Sequence, residues 1–194
     1  ALKSLKLPDT FDTSSLKSGT YWMFSDCGYT AMEELDLGPK FTITTAVSNV
    51  SGMFNGCGYK SLKKLDLSKC TFNIGNSGNM NYMFSDMGHD SMTEFILGPN
   101  FNTSRVVNMN TTFSGCGYGA LTSFDLEDKF NTSKVKDMSG MFANFGYKAM
   151  KTLDLGPYFI TSSATSMSTM FKNCGYTALE SLDLGDSFNA GKVT

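Results

Sequence analysis

Two columns of residues recur along the whole chain at one spacing, and that spacing limits the fold more than any other property. Met-Phe pairs stand at Met23-Phe24, Met53-Phe54, Met83-Phe84, Met141-Phe142 and Met170-Phe171, with Thr112-Phe113 in the remaining place. These phenylalanines are 30, 30, 29, 29 and 29 residues apart. A second column, Leu-x-Leu, sits at Leu5/Leu7, Leu35/Leu37, Leu65/Leu67, Phe95/Leu97, Phe124/Leu126, Leu153/Leu155 and Leu182/Leu184, at intervals of 30, 30, 30, 29, 29 and 29. A period kept this long means stacked units, each burying its apolar face only against its neighbours. The chain therefore reads as a single repeat domain over residues 1–194, about six and a half units of 29–30 residues.

Each unit divides in two. Segments such as Leu62-x-x-Leu65-x-Leu67 alternate apolar and polar residues, which predicts a short strand with one buried side. Gly38-Pro39, Gly98-Pro99 and Gly156-Pro157 mark a turn after it, and one aromatic per unit follows (Phe11, Phe41, Phe72, Phe101, Phe130, Phe159, Phe188), placed to anchor that turn. In the second half Val135, Met138, Met141/Phe142 and Phe145 fall at steps of three to four, which predicts a short helix. Thr132 or Ser133 would cap its start, and Gly146 would end it in the left-handed conformation, as would the glycines at 28, 58, 88, 117 and 175. A chain that returns to the same strand position every unit stacks its strands in parallel, and seven of them span roughly 29 Å. The predicted fold class is an α/β solenoid of the leucine-rich-repeat kind, a right-handed superhelix with one parallel β-sheet and short helices on the opposite side.

Leu-Asp-Leu followed by Phe-Asn-Thr-Ser-Lys-Val-Lys-Asp-Met-Ser-Gly-Met-Phe gives these units a recognisable signature, clearest from Leu126 through Phe142. It resembles the bacterial surface-protein repeat of the BspA-like leucine-rich-repeat proteins, and the resemblance runs over essentially the whole chain. The 29–30-residue unit is longer than that family's common unit, with the additional residues placed around the Cys-Gly-Tyr and Gly-Pro turns. The resemblance implies a secreted or cell-surface module that works by adhesion or recognition.

Composition narrows the function classes. Sixteen basic and eighteen acidic residues leave a formal charge of −2, so the chain carries no electrostatic footprint for nucleic acid. No run of about 18 apolar residues predicts a membrane span, and no basic-apolar leader resembles a signal peptide. Cys27, Cys57, Cys116 and Cys174 share a column with Met87 and Phe145, a mixture that only burial explains, and Cys70 lies outside the column. The sole histidine, His89, fills the place held elsewhere by Tyr29, Tyr59, Tyr118, Tyr147 and Tyr176. No catalytic arrangement, metal site or cofactor is expected from such a set.

Seven residues are candidates for binding. Asp36, Asp66, Asp125, Asp154 and Asp183 lie between the two leucines of their strands and point outward, interrupted by Lys6 and Ile96. Carboxylates on stacked strands would stand about 5 Å apart. They either pair with neighbours such as Lys63, Lys64, Lys151, Ser123 and Thr152 or offer a surface to a cation or a basic partner. Trp22 and Tyr82 occupy a slot that is Gly52, Thr111, Gly140 and Thr169 elsewhere, so they read as exposed anchors, unless Trp22 packs on a preceding turn or flanking segment. The Asn-x-Ser/Thr sequences at Asn49, Asn102, Asn110 and Asn131 carry no assigned role. Neither end shows a polar cap, which predicts a piece of a longer surface protein. The expected function is non-catalytic recognition of a protein or glycan partner at the cell surface through the sheet face and turns. The alternative is a structural spacer or self-assembling layer, joined through the uncapped ends.

Overall fold

The computed structural model describes residues 1–193. Seven three-residue strands recur once per unit: β1 (Ser4–Lys6), β2 (Glu34–Asp36), β4 (Lys64–Asp66), β7 (Glu94–Ile96), β10 (Ser123–Asp125), β11 (Thr152–Asp154) and β12 (Ser181–Asp183). Five more lie between them: β3 (Thr42–Ile43), β5 (Thr71–Asn73), β6 (Gly78–Asn79), β8 (Phe101–Asn102) and β9 (Val106–Asn108). Every pairing is parallel and joins one turn to the next, so the chain is a parallel β-solenoid of about six turns.

The expected single sheet is divided. The seven strands of the first face form one ladder of four, β1-β2-β4-β7, and one of three, β10-β11-β12, and no backbone hydrogen bond joins β7 to β10. Two further ladders, β3-β5-β8 and β6-β9, run up other sides, the second extended by bridges from Asn108 to Asp137 and on to Ser166. The chain thus pairs with its neighbour at up to three places per turn, of which only the Leu-x-Leu strands are expected from the sequence.

The predicted helices are absent: among the described residues none is helical. Three backbone positions in each Met-Phe segment have positive φ, which no α-helix accommodates. In the fifth turn they are Gly140 (63°), Asn144 (56°) and Gly146 (52°). Between them the amides alternate in direction. Those of Met138, Gly140, Phe142 and Asn144 donate to Ser166, Ser168, Met170 and Lys172 of the next turn. Those of Met141, Ala143 and Phe145 donate three residues back to Met138, Gly140 and Phe142. A chain of tight turns with left-handed breaks returns to one face every three to four residues, as a helix does, and Val135, Met138, Met141, Phe142 and Phe145 are all fully buried. The glycine at the end of each run does take the left-handed conformation, with φ between 51° and 58° from Gly28 to Gly175.

Thr132 is not a helix cap. Its buried hydroxyl donates to the carbonyl of Ile160 at 2.9 Å and accepts from the Ile160 amide at 2.7 Å. Thr13, Thr103 and Thr161 repeat the arrangement with Thr42, Asn131 and Asn189. Where this column holds Ile43 or Ile74, the turns are joined instead by the β3-β5-β8 ladder. A threonine hydroxyl can stand in for a ladder bond because it donates and accepts at once.

The core is a stack of rings. Phe24, Phe54, Phe84, Phe113, Phe142 and Phe171 lie nearly parallel, with centroids 5.4–5.7 Å apart. The turn aromatics Phe41, Phe72, Phe101, Phe130 and Phe159 are buried beside them. Phenylalanine repeats at a spacing close to the offset stacking distance, so the same contact is made at every turn.

Candidate recognition surface

The strand side chains that point away from the core build one continuous face. Its fourteen positions, two per strand from Ser4 and Lys6 to Ser181 and Asp183, hold seven acidic and two basic residues. The face therefore carries a net −5, against −2 for the whole chain.

The aspartate column is held by backbone rather than by the side chains expected. Asp36, Asp66, Asp125, Asp154 and Asp183 each accept, through Oδ1, the amide two residues on: Gly38 (2.9 Å), Ser68 (3.0 Å), Glu127 (2.7 Å), Gly156 (2.8 Å) and Gly185 (2.9 Å). Each carboxylate closes the turn that leaves its strand. Of the predicted partners only Lys64 engages the column, 3.4 Å from Asp66, and it also reaches Glu94 at 2.8 Å. Lys6 stands 3.6 Å from Asp36. Partial burial works against ionisation of Asp66, but the Ser68 hydrogen bonds and the Lys64 ammonium outweigh it and hold that carboxyl below its ordinary value. Among the described residues no such ion pair reaches Asp125, Asp154 or Asp183, so the face is charge-paired at its first four strands and bare at its last three.

The asparagines of the Asn-x-Ser/Thr sequences serve the same purpose at other corners. Asn49, Asn102 and Asn131 accept the amides of Ser51, Ser104 and Ser133. Turn chemistry explains why Asn recurs two residues before a hydroxyl residue.

Two grooves open on the face. One, of about 220 Å³, lies among Glu34, Asp36, Lys64, Asp66 and Lys69. The other, of about 440 Å³, lies over the break between β7 and β10 and is lined by Glu94, Phe95, Ile96, Phe124, Asp125 and Glu127. Phe95 and Phe124 replace the leucines of the other strands and stack with centroids 5.0 Å apart. Glu127 has φ 63° where the neighbouring turns have Gly98 and Gly156. Burial, then the adjacent Asp125 and Asp128, push its carboxyl up.

Trp22 and Tyr82 come together away from that face. Both are exposed, at 46% and 39%, and both have positive φ (55° and 58°). They lean over Gly52 of the intervening turn and stack with centroids 6.3 Å apart, and a Cβ on Gly52 would overlap the indole. Trp22 thus packs on the turns that follow it, not on a preceding one, and both rings stay partly exposed. A third feature is the tyrosine column in which His89 stands, a ladder Tyr29-Tyr59-His89-Tyr118-Tyr147-Tyr176 whose rings stack at 4.4–5.1 Å. His89 sits between Tyr59 and Tyr118 with Nδ1 2.7 Å from Asp90 Oδ1, so it packs as an aromatic. The repeated Gly-Tyr dipeptide was the available signal.

The thiols are free, and Cys57, Cys70 and Cys116 are buried. Burial pushes Cys57 and Cys116 far up, and Cys70 and Cys174 up to about 12, the reverse of an activated nucleophile. Among the described residues no three His, Cys, Asp or Glu side chains converge on a metal position. No helix there is long and apolar enough to cross a membrane.

A family model described as "Mycoplasma protein of unknown function, DUF285" matches residues 48–180. No curated protein and no solved structure matches the chain.

Proposed function

We propose, for a chain that belongs to the Mycoplasma DUF285 family, that it is a non-catalytic recognition module displayed outside the cell. In this reading it presents the strand face and neighbouring turns to a protein or glycan partner, and its units are kin to the leucine-rich repeats of BspA-like proteins. The contrast between inside and outside carries the reading. Inward columns keep their apolar or hydrogen-bonding character turn after turn, while the outward face changes from charge-paired to bare and is broken by Ile96 and the seam beside it. A scaffold that only had to stack would have no reason to vary its surface, whereas a surface read by a partner does. The groups suited to covalent chemistry, the thiols and His89, are engaged in packing.

A second reading, a self-assembling surface layer, draws on the first turn. Leu2 (47%), Phe11 (41%) and Met23 (39%) are exposed there, whereas their counterparts in the middle turns are buried. Sedimentation velocity over a wide concentration series, with calcium and with EDTA, separates the two. The recognition reading predicts one monomeric species throughout, and beads coated with the chain that adhere to intact cells where bare beads do not. Concentration-dependent growth into ordered oligomers transfers the assignment to the layer, and monomers whose beads fail to adhere contradict recognition.

A further inference from the structure

We infer that the partner of the strand face is a basic one: an extended polypeptide segment carrying Lys or Arg, laid along the solenoid axis across β7, β10, β11 and β12. The inference rests on the recognition reading and gives it a partner chemistry.

Charge and geometry both select this occupant. Strand register places Asp125 beside Asp154 and Asp154 beside Asp183. That is a row of carboxylates at about 4.8 Å steps. No lysine or arginine pairs with that row among the described residues, while both lysines of the face, Lys6 and Lys64, lie on the first four strands. Since the face holds −5 of a chain whose total is −2, the remainder of the molecule is net positive. A basic segment is therefore drawn to this side and repelled from the others.

The row is also fixed in place. Each Asp spends Oδ1 on a backbone amide, which immobilises the carboxylate and leaves Oδ2 toward solvent. A partner that pairs with these oxygens orders no side chain in doing so, which removes one of the main costs of binding a charge at a surface. At the upper end of the row the groove of about 440 Å³ adds an apolar floor at Ile96, beside the carboxylates of Glu94 and Glu127. An alkyl stem fits that floor while its ammonium or guanidinium meets the rim. Side chains on one edge of an extended segment recur at roughly 6.6–6.8 Å. A strand lying along the axis can therefore meet successive members of the row without a matched repeat.

The test is a titration of the whole chain with a fluorescent peptide of four Arg-Ser repeats, read by anisotropy, with four Glu-Ser repeats as the opposite probe. The triple variant Asp125→Asn, Asp154→Asn, Asp183→Asn removes three charges but keeps the Oδ1 acceptors that close the turns. Its control is Asp26→Asn, Asp86→Asn, Asp137→Asn, an equal charge change outside the strand face in columns where Asn144, Asn173 and Asn108 already stand. Binding of the Arg-Ser peptide is expected to weaken about tenfold or more in the first variant and to change by less than about twofold in the control. Ser123→Lys with Thr152→Lys, at exposed positions outside the aspartate turns, is expected to weaken binding about tenfold or more by setting two ammonium groups beside the row. Equal weakening in both triple variants would overturn the inference, because binding would then follow net charge alone. So would absence of Arg-Ser binding by the parent chain whose beads still adhere to cells, a result that leaves the recognition reading standing. Failure of the beads themselves contradicts that reading instead.

Discussion

Phe113→Ala is expected to lower the unfolding free energy by about 3–5 kcal/mol. Phe113 is fully buried at the centre of the ring stack, 5.4 Å from Phe84 on one side and 5.4 Å from Phe142 on the other. Phe124 meets its edge at 5.3 Å, and Phe95, Phe130 and Phe145 complete its surroundings at 5.9–6.1 Å. Truncation therefore loosens the interfaces to both adjacent turns, and stacked neighbours on fixed ladders have little freedom to close the void. A solenoid holds together through such nearest-neighbour terms, so a central lesion divides it. Phe24→Ala, in the first turn and with a ring neighbour on only one side of the stack, is expected to cost roughly half as much. Urea unfolding of the three proteins measures both effects. Equal losses would show that the stack is not the element joining the turns.

Gly58→Ala is the second large effect, expected at about 2–5 kcal/mol. The backbone there has φ 56°, so any side chain carries the left-handed cost of roughly 1–2 kcal/mol. Space is also lacking: a new Cβ would overlap that of Leu62 and crowd its Cδ2 at 3.1 Å. The remainder of the loss comes from moving Leu62, which is fully buried. Gly156→Ala separates the two contributions, because φ is 70° at Gly156 but nothing lies within 4 Å of the added carbon. It should show the conformational part alone, roughly 1–2 kcal/mol, by the same unfolding measurement. Matching losses at the two sites would mean that the contact with Leu62 is unimportant.

The stacking was legible because the two apolar columns each make one contact per turn, and a contact repeated at a fixed interval leaves a fixed interval in the sequence. The strand positions, the turn aromatics and the left-handed glycines follow from those columns. Val135 to Phe145 misled because spacing at three to four residues is common to a helix and to a run of tight turns. The discriminating signal lay in another column, Asp26, Gly56, Asp86, Gly115, Asn144 and Asn173, which is composed only of the residue types that tolerate positive φ. Trp22, Tyr82, Thr111 and Thr169 gave no such signal. They are held left-handed by the turns they are tied to, as the Trp22 amide is by Ser51 and the Tyr82 amide by Asn110.

On the strand face the aspartates do lie outward, as the sequence predicts, but their backbone partners were not foreseen. Asp36-Leu37-Gly38, Asp154-Leu155-Gly156 and Asp183-Leu184-Gly185 spell an aspartate closing its own turn, and local side-chain-to-backbone bonds compete well with exposed ion pairs. The Trp22–Tyr82 contact could not be read from spacing, since it depends on both rings tilting over Gly52. The break between β7 and β10 left no trace in the period, which passes from Phe95 to Phe124 at 29 residues as it does in the following turns.

The described residues form a solenoid without helices, and far-ultraviolet circular dichroism tests that directly. The predicted spectrum has no paired α-helical minima, because the long segments between strands are tight turns with left-handed residues. Strong paired minima, as short helices in every unit would give, would contradict the account and return the Met-Phe segments to helical form.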